Sequence, residues 1–448
     1  MVRAQRCPTP CFVPVGRSSR SEGVDKSSPA GPRLPLRSSA VRPHFANRVL
    51  AIMALVTFAT SLFMRAVDPV IPKIADEFAI DAGTVALLST AFALPYAVAQ
   101  PLLGAMADIL GKTKLMTLCL TVLVMAALVG ALATSFSALL ASRVVSGVAT
   151  GGIFPISLAI AADLVPVNER QVAISRLLAA AMLGNLLGSP GAGVIADLIG
   201  WRGIFALVVG LSSAALVAAI FGFRDVTSAE RTRLDLAALA AGYRTIFTNP
   251  LAKFCYGAVL LEGIFLFGLF PFIATLLHAG GETRAAIAGL VIGGFALGGV
   301  GYTIMVSRLL ASLGERRLMA AGGCVMALAL VTVALRLPWQ AQIIDFVVLG
   351  FGFYMLHGVI QIYATELAPA ARGSAMALHS AFFFVGHALG PIVYRFGLAQ
   401  VGLTASLMVG GGVVMAVGFV CARHLQHPRA AADLTSITAS SGSTRGTR

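Results

Sequence analysis

The chain has 448 residues, 58% hydrophobic and only 12% charged, with a mean hydropathy of +0.88. A soluble protein of this length has no interior large enough to hide that much apolar surface, so the composition excludes a soluble domain and implies a polytopic membrane protein. The net charge of +14 reads as membrane topology rather than nucleic-acid binding.

Residues 1 to about 46 are polar, basic and rich in Pro, Ser and Arg. They lack the apolar core of a secretory signal and are expected to form a disordered cytosolic tail; an early start codon or a transit peptide are the alternatives. About twelve apolar segments follow, each long enough to cross a hydrocarbon core about 30 Å thick. They span 48–70, 83–106, 114–134, 138–162, 171–198, 203–223, 252–277, 285–311, 317–336, 340–364, 373–397 and 401–422. The longest internal polar stretch, 224–249, divides them six plus six. The plan is therefore a tail (1–46), a six-helix bundle (47–223), a cytoplasmic linker (224–249), a second bundle (250–422) and a Ser/Thr-rich, disordered tail (423–448).

Loop charge orients the chain. With the N-terminus in the cytosol, the inside loops hold Lys112, Lys114, Arg170, Arg224, Arg231, Arg233, Arg244, Arg308, Arg316, Arg317, Arg372 and Arg423. The outside loops hold only Lys73, Arg202, Arg284, Arg336 and Arg395. Both termini are expected inside. The six cysteines form no CxxC pair, so neither a disulfide framework nor a metal site is expected, and no cofactor.

The stretch GAMADILGKTK, Gly104 to Lys114, ends like a phosphate-binding loop. That loop needs a glycine five residues before Gly111, where Met106 stands, and a preceding strand rather than about twenty apolar residues. Nucleotide binding is rejected. A second pattern is internal. From Asp163 and from Glu366 the chain twice reads acid-Leu-x-Pro and then an arginine, Arg170 or Arg372. Each arginine is followed by a glycine fourteen residues on (Gly184, Gly386), another four later (Gly188, Gly390), and a proline (Pro190, Pro391). Repeated membrane halves are a mark of secondary transporters, which rock one half against the other around a central site.

Over residues 48 to 422 the chain resembles the major facilitator superfamily, and within it the twelve-helix drug:proton antiporter and sugar-efflux group. GAMADILGKTK resembles the family's loop between helices 2 and 3, through Gly104, Asp108, Gly111 and Lys112. LLASRVVSGVATGG resembles its helix-4 motif through Arg143, and GNLLGSPGAG its helix-5 exporter motif through Gly184, Gly188, Pro190 and Gly191, with Ser189 inserted before the proline. Aligning Gly314 with Gly111 gives a worn second copy of the loop, with Ala311 in place of Asp108. The resemblance implies an all-α fold of two pseudo-repeated six-helix bundles. It implies that Asp108 braces the halves at the cytosolic side, where a carboxylate suits a helix N-terminus; the alternative is a loop that only sets topology. It also implies proton handling at Arg143, and a close meeting of helices 5 and 8.

The residues add further candidates. Glu262 lies near the middle of helix 7, where an acid costs about 2.5–3.5 kcal/mol and usually faces the bundle interior. It is a candidate proton or substrate group, or else an acid hydrogen-bonded to a neighbouring helix. Arg65 and Asp68 are three apart on helix 1 and share a face, with Asp68 a second proton candidate or half of an interfacial pair. Asn185, His357, Gln361, His379 and His387 are possible cavity residues, and Phe265, Phe267, Phe270, Phe272 and Phe382 to Phe384 a possible apolar wall. The expectation is a monomeric, proton-coupled exporter of a small organic solute in the bacterial inner membrane, not an enzyme and without nucleic-acid partners. An importer or facilitator of the same fold is the rival. A membrane sensor or polytopic enzyme is remote, because no catalytic cluster is present.

Overall fold

The computed structural model describes residues 43–166, 169–224 and 236–425; the side chains of residues 43–45, 105, 108, 236–240 and 370 are outside that description. Residues 1–42 and 426–448 of the expected tails and 225–235 of the expected linker therefore lie outside the described residues, while 43–46 of the first tail and 423–424 of the second are helical.

The chain begins with α1 (Pro43–Arg65), which bends through a 3-10 turn at Asp68–Val70 into α2 (Ile71–Phe78). A short α3 (Ala82–Val85) leads into α4 (Leu87–Leu110), followed by α5 (Lys112–Ala131), α6 (Phe136–Leu164), α7 (Arg170–Ile199) and α8 (Arg202–Gly222). After α9 (Leu236–Thr248) come α10 (Ala252–Phe265), a 3-10 turn at Phe267–Leu269, and α11 (Phe270–Ala279). The last four are α12 (Ala285–Ala334), α13 (Trp339–Glu366), α14 (Arg372–Gln400) and α15 (Gly402–His424). Among the described residues eleven helical runs are long and apolar enough to cross a membrane. One of them, α12, is 50 residues long and supplies two crossings, because its backbone leaves helical geometry at Gly314 (φ 69°, ψ 165°). The eighth and ninth expected segments are thus joined by a kink. Gly314 aligns with Gly111, and both have positive φ (69° and 92°), a region that favours glycine. The second half has kept the turn although it has lost the acid.

The first and seventh crossings differ from their expected form. The first does not end near residue 70: it bends at a buried Asp68–Pro69 step and runs on through Lys73 to Phe78, so Lys73 is helical. The seventh is interrupted four residues after Glu262.

Helices in lipid gain little from hydrophobic contact with each other, so close packing depends on small residues. The repeat noted in the sequence is a packing repeat. Gly184 and Gly188 of α7 lie against the α1 backbone at Phe58 and Leu62. Gly386 and Gly390 of α14 lie in the same way against Leu260, Gly263, Ile264 and Gly268 of the seventh crossing. Between the halves, α7 packs on α12 and α4 on α14. Successive crossings alternate in direction. The face carrying the start of α1 and the end of α15 is called terminal below, and the opposite face distal.

Candidate transport site

The α1 bend places Asp68 in the interior at 1% exposure. Its Oδ1 accepts from Ser89 Oγ of α4 at 2.7 Å, and its Oδ2 stands 3.5 Å from Arg65 Nη1. The expected Arg65–Asp68 pair is present, but it is not interfacial, because the helix continues past it. Arg65 then crosses to the other half. Its guanidinium lies over the rings of Phe267 and Phe270 at 4.6 and 4.7 Å, and its Nη2 is 3.3 Å from His387 Nε2 on α14. A cavity of about 20 Å³, room for about one water, lies among Arg65, Asp68, Ser89, Phe267, Phe384 and His387.

Arg143 of α6 is fully buried between the rings of Phe63 (4.6 Å) and Phe92 (4.2 Å). Its Nε reaches the Leu88 carbonyl at 3.5 Å, while Nη1 and Nη2 have no hydrogen-bond partner among the described residues. A buried cation that is held by ring faces rather than by a carboxylate retains the N–H groups of both terminal nitrogens for a further group.

In the second half Glu262 has 0% exposure. Its Oε2 is 2.8 Å from His357 Nδ1 on α13, and its Oε1 has no hydrogen-bond partner among the described residues. The absence of a basic residue nearby in sequence hid this partner, which arrives from 95 residues away. His357 stacks on Phe353 at 4.6 Å and stands 5.1 Å from the His379 ring. His387 packs on Phe267 and Phe383 at 4.2 and 4.6 Å. The aromatic side chains considered as a possible apolar wall are largely interior: Phe267, Phe270 and Phe272 are buried, and Phe265, Phe382, Phe383 and Phe384 half-buried. Phe267, under the Arg65 guanidinium, and Phe383, beside His357, touch each other and so link the Arg65–Asp68 cluster to the Glu262–His357 pair.

Asn185 is exposed and lies on the side of α7 opposite the outward-facing Leu183, Leu187 and Val194, as the helical period dictates. Gln361 is also exposed, near the terminal end of α13. The helix-5 motif divides its work. Gly184 and Gly188 meet α1, Pro190 meets Gly293 of α12, and a Cβ on Gly191 would meet nothing within 4 Å. The inserted Ser189 is buried, and its hydroxyl donates to the Arg65 carbonyl at 3.0 Å.

In the loop between helices 2 and 3, Gly104 and Gly111 lie at the end of α4, and Lys112 Nζ is 2.6 Å from Asp163 Oδ2. The Asp108 side chain, expected to brace the halves, lies outside the described residues. Sequence reasoning missed Ser89, Lys73 and Asp197. Ser89 carries no local signal; Asp197 does, as set out below. Among the described residues no group of three or more His, Cys, Asp or Glu side chains forms a metal-binding cluster.

The model of the Major Facilitator Superfamily matches residues 53–391 and 270–440. The chloramphenicol resistance protein of Streptomyces lividans is 27% identical over 83% of this chain and 94% of its own. Multidrug resistance protein 1 of Bacillus subtilis (strain 168) is 24% identical over 78% and 89%. The quinolone resistance protein NorA of Staphylococcus aureus (strain COL) is 24% identical over 85% and 97%. Among solved structures, a D-xylose-proton symporter superimposes with a TM-score of 0.66 at 15% identity, covering 84% of this chain and 96% of its own. A bacterial homolog of the human lysosomal transporter Spinster, crystallised inward-facing and unoccupied, gives 0.62 at 17%, covering 85% and 96%. The family match, the relatives and the twelve-crossing fold agree: this chain is a multi-pass membrane transporter of the Major Facilitator Superfamily.

Proposed function

We propose that the protein exports a small organic compound, such as a drug, sugar or amino-acid derivative, in exchange for protons. It works as a monomer in a bacterial plasma membrane, without nucleotide or cofactor. The six-helix bundles 47–223 and 250–422 rock about the central site, joined by the cytoplasmic linker 224–249. The terminal face is cytosolic and the distal face external.

The Glu262–His357 pair carries the coupling. A carboxylate with no access to water either holds a proton or holds a charged partner, and exchanging one for the other changes its preferred surroundings. Protons enter from the more acidic outside, load Glu262 or the linked Asp68, and leave to the cytosol as solute moves outward. Arg143, with both terminal nitrogens unpartnered among the described residues, positions or displaces the proton on Asp68. The drug-resistance names of several relatives favour export.

Charge supports the orientation. The loops assigned to the terminal face carry twelve of the basic residues named above and those assigned to the distal face five, the bias that retains positive loops in the cytosol. Asp108 braces the halves when the terminal face is closed, and Asp108→Asn lowers turnover without lowering membrane expression.

The test uses inside-out vesicles with a pH-sensitive dye and a panel of antibiotics, dyes, sugars and amino acids. A compound that releases protons with the wild type but not with Glu262→Gln supports antiport through Glu262. Transport of a compound with no proton movement in the wild type replaces the antiporter with an uncoupled facilitator, and inward flux replaces the exporter with an importer.

A further inference from the structure

The joint between the halves on the distal face has a definite chemistry. Helix α12 begins at Ala285 without a side-chain cap of its own. The carboxylate of Asp197, at the end of α7 in the other half, does that work: Oδ1 accepts from Ala285 N at 3.0 Å and Oδ2 from Ala286 N at 2.8 Å. The first amides of a helix have no partner within it and carry the positive end of its dipole, so a carboxylate there is favourable. Lys73 of α2 holds that carboxylate in place, with its Nζ 2.6 Å from Asp197 Oδ1 and 3.1 Å from the Ala196 carbonyl. Small residues permit the approach: a Cβ on Gly193 would collide with the Ala285 carbonyl, and one on Gly289 with that of Ser189.

The sequence around Asp197 repeats the loop to which the resemblance gives a bracing role. GVIADLIGWR (Gly193–Arg202) repeats the pattern of GAMADILGKT (Gly104–Thr113). Both read Gly-x-x-Ala-Asp, two apolar residues and Gly, with a basic residue close behind (Arg202, Lys112). Both closing glycines, Gly111 and Gly200, have positive φ (92° and 85°). One copy follows the second crossing and the other the fifth, three crossings later and of opposite direction, so they lie on opposite faces. A second tether on the distal face runs from the other half. Arg395, at the end of α14, reaches Asp81 at 3.7 Å, and Asp81 caps α3 through Thr84.

We infer that the Gly193–Arg202 segment is a distal latch, a further copy of the 104–113 pattern serving the opposite face. Asp197 holds the distal face shut by capping α12 across the interface, and releases it when the halves rock. This rests on alternating access but not on proton coupling or on the direction of transport. Asp197 is a positioning residue here, since it touches neither the Glu262 pair nor the Arg65 cluster.

The test measures distance rather than transport. Spin labels are placed at the distal ends of the two halves, at Thr134→Cys before α6 and Gln340→Cys in the first turn of α13, both exposed, in the full chain with Cys7, Cys11 and Cys324 replaced by Ser. Distance distributions are recorded by pulsed electron resonance in lipid nanodiscs. Asp197→Ala is expected to move the closed-to-open ratio toward open by about 3- to 30-fold, the range of a partly buried helix-terminus contact. Asp197→Asn, which keeps an acceptor but no charge, should fall between. Thr332→Val is the control, because it removes a hydrogen bond to Asp345 near the same face but within one half and outside the segment. An unchanged distribution in Asp197→Ala, or an equal shift in Thr332→Val, overturns the latch. Failure of the proton-release assay leaves this result untouched, so the two readings fail separately.

Discussion

His357 Nδ1 stands 2.8 Å from Glu262 Oε2, joining two crossings of the second half at a carboxylate with 0% exposure. The pair gives each side chain its buried hydrogen bond, so the two depend on each other. His357→Phe alone should destabilise the protein by about 1–3 kcal/mol, because it strands a buried acid. The double variant Glu262→Gln/His357→Phe should recover part of that loss. Thermal unfolding of the purified proteins in detergent reads it, and a double variant no more stable than His357→Phe would show that the pair is not coupled.

Arg143 offers a clean separation of function from stability. Its terminal nitrogens are buried without hydrogen-bond partners among the described residues. Removing such a cation in favour of an apolar chain of similar length is often neutral or stabilising. Arg143→Met should therefore keep its melting temperature within a few degrees while transport falls at least about 10-fold, the scale of a lost charge-assisted contact. A collapse in melting temperature would make Arg143 a structural residue.

The glycines of the repeat differ in what they tolerate. Gly386→Val forces a Cβ onto the Leu260 carbonyl, a backbone atom that cannot step aside. We expect a loss of about 1–3 kcal/mol, seen as lower folded yield and earlier melting. Gly191→Ala faces open space and should be neutral or stabilising by up to about 1 kcal/mol. Equal effects at both positions would contradict the packing described.

The distal tether at Asp81 should be indifferent to moderate acid. The hydroxyl and amide of Thr84, with Arg395 beyond, hold the Asp81 carboxyl below its usual range. A depressed carboxylate contributes stability above its unfolded pKa, near 3.9, and loses it only as pH falls through the lower folded value. Asp81→Asn should thus lower thermal stability by the same amount at pH 7 and pH 5. An effect that vanishes by pH 5 would mean that Asp81 is not ionised in the folded protein there.

Composition and periodicity alone determined that this is a membrane protein of about twelve crossings in two related halves, because a span needs some twenty apolar residues and nothing else looks like that. The acid–glycine–proline repeat was legible for the same local reason, and its glycines proved to be matching helix contacts. Glu262 stood out because an acid within an apolar run is rare. What tertiary structure decided is who meets whom. His357 reaches Glu262 from 95 residues away, Ser89 supports Asp68 across a bend that the hydropathy pattern did not reveal, and Asp197 caps a helix in the other half. Side-chain hydrogen bonds and ion pairs between crossings depend on helix rotation, depth and bending. In lipid these are set by small-residue packing and interhelical contacts, which local hydrophobicity does not encode.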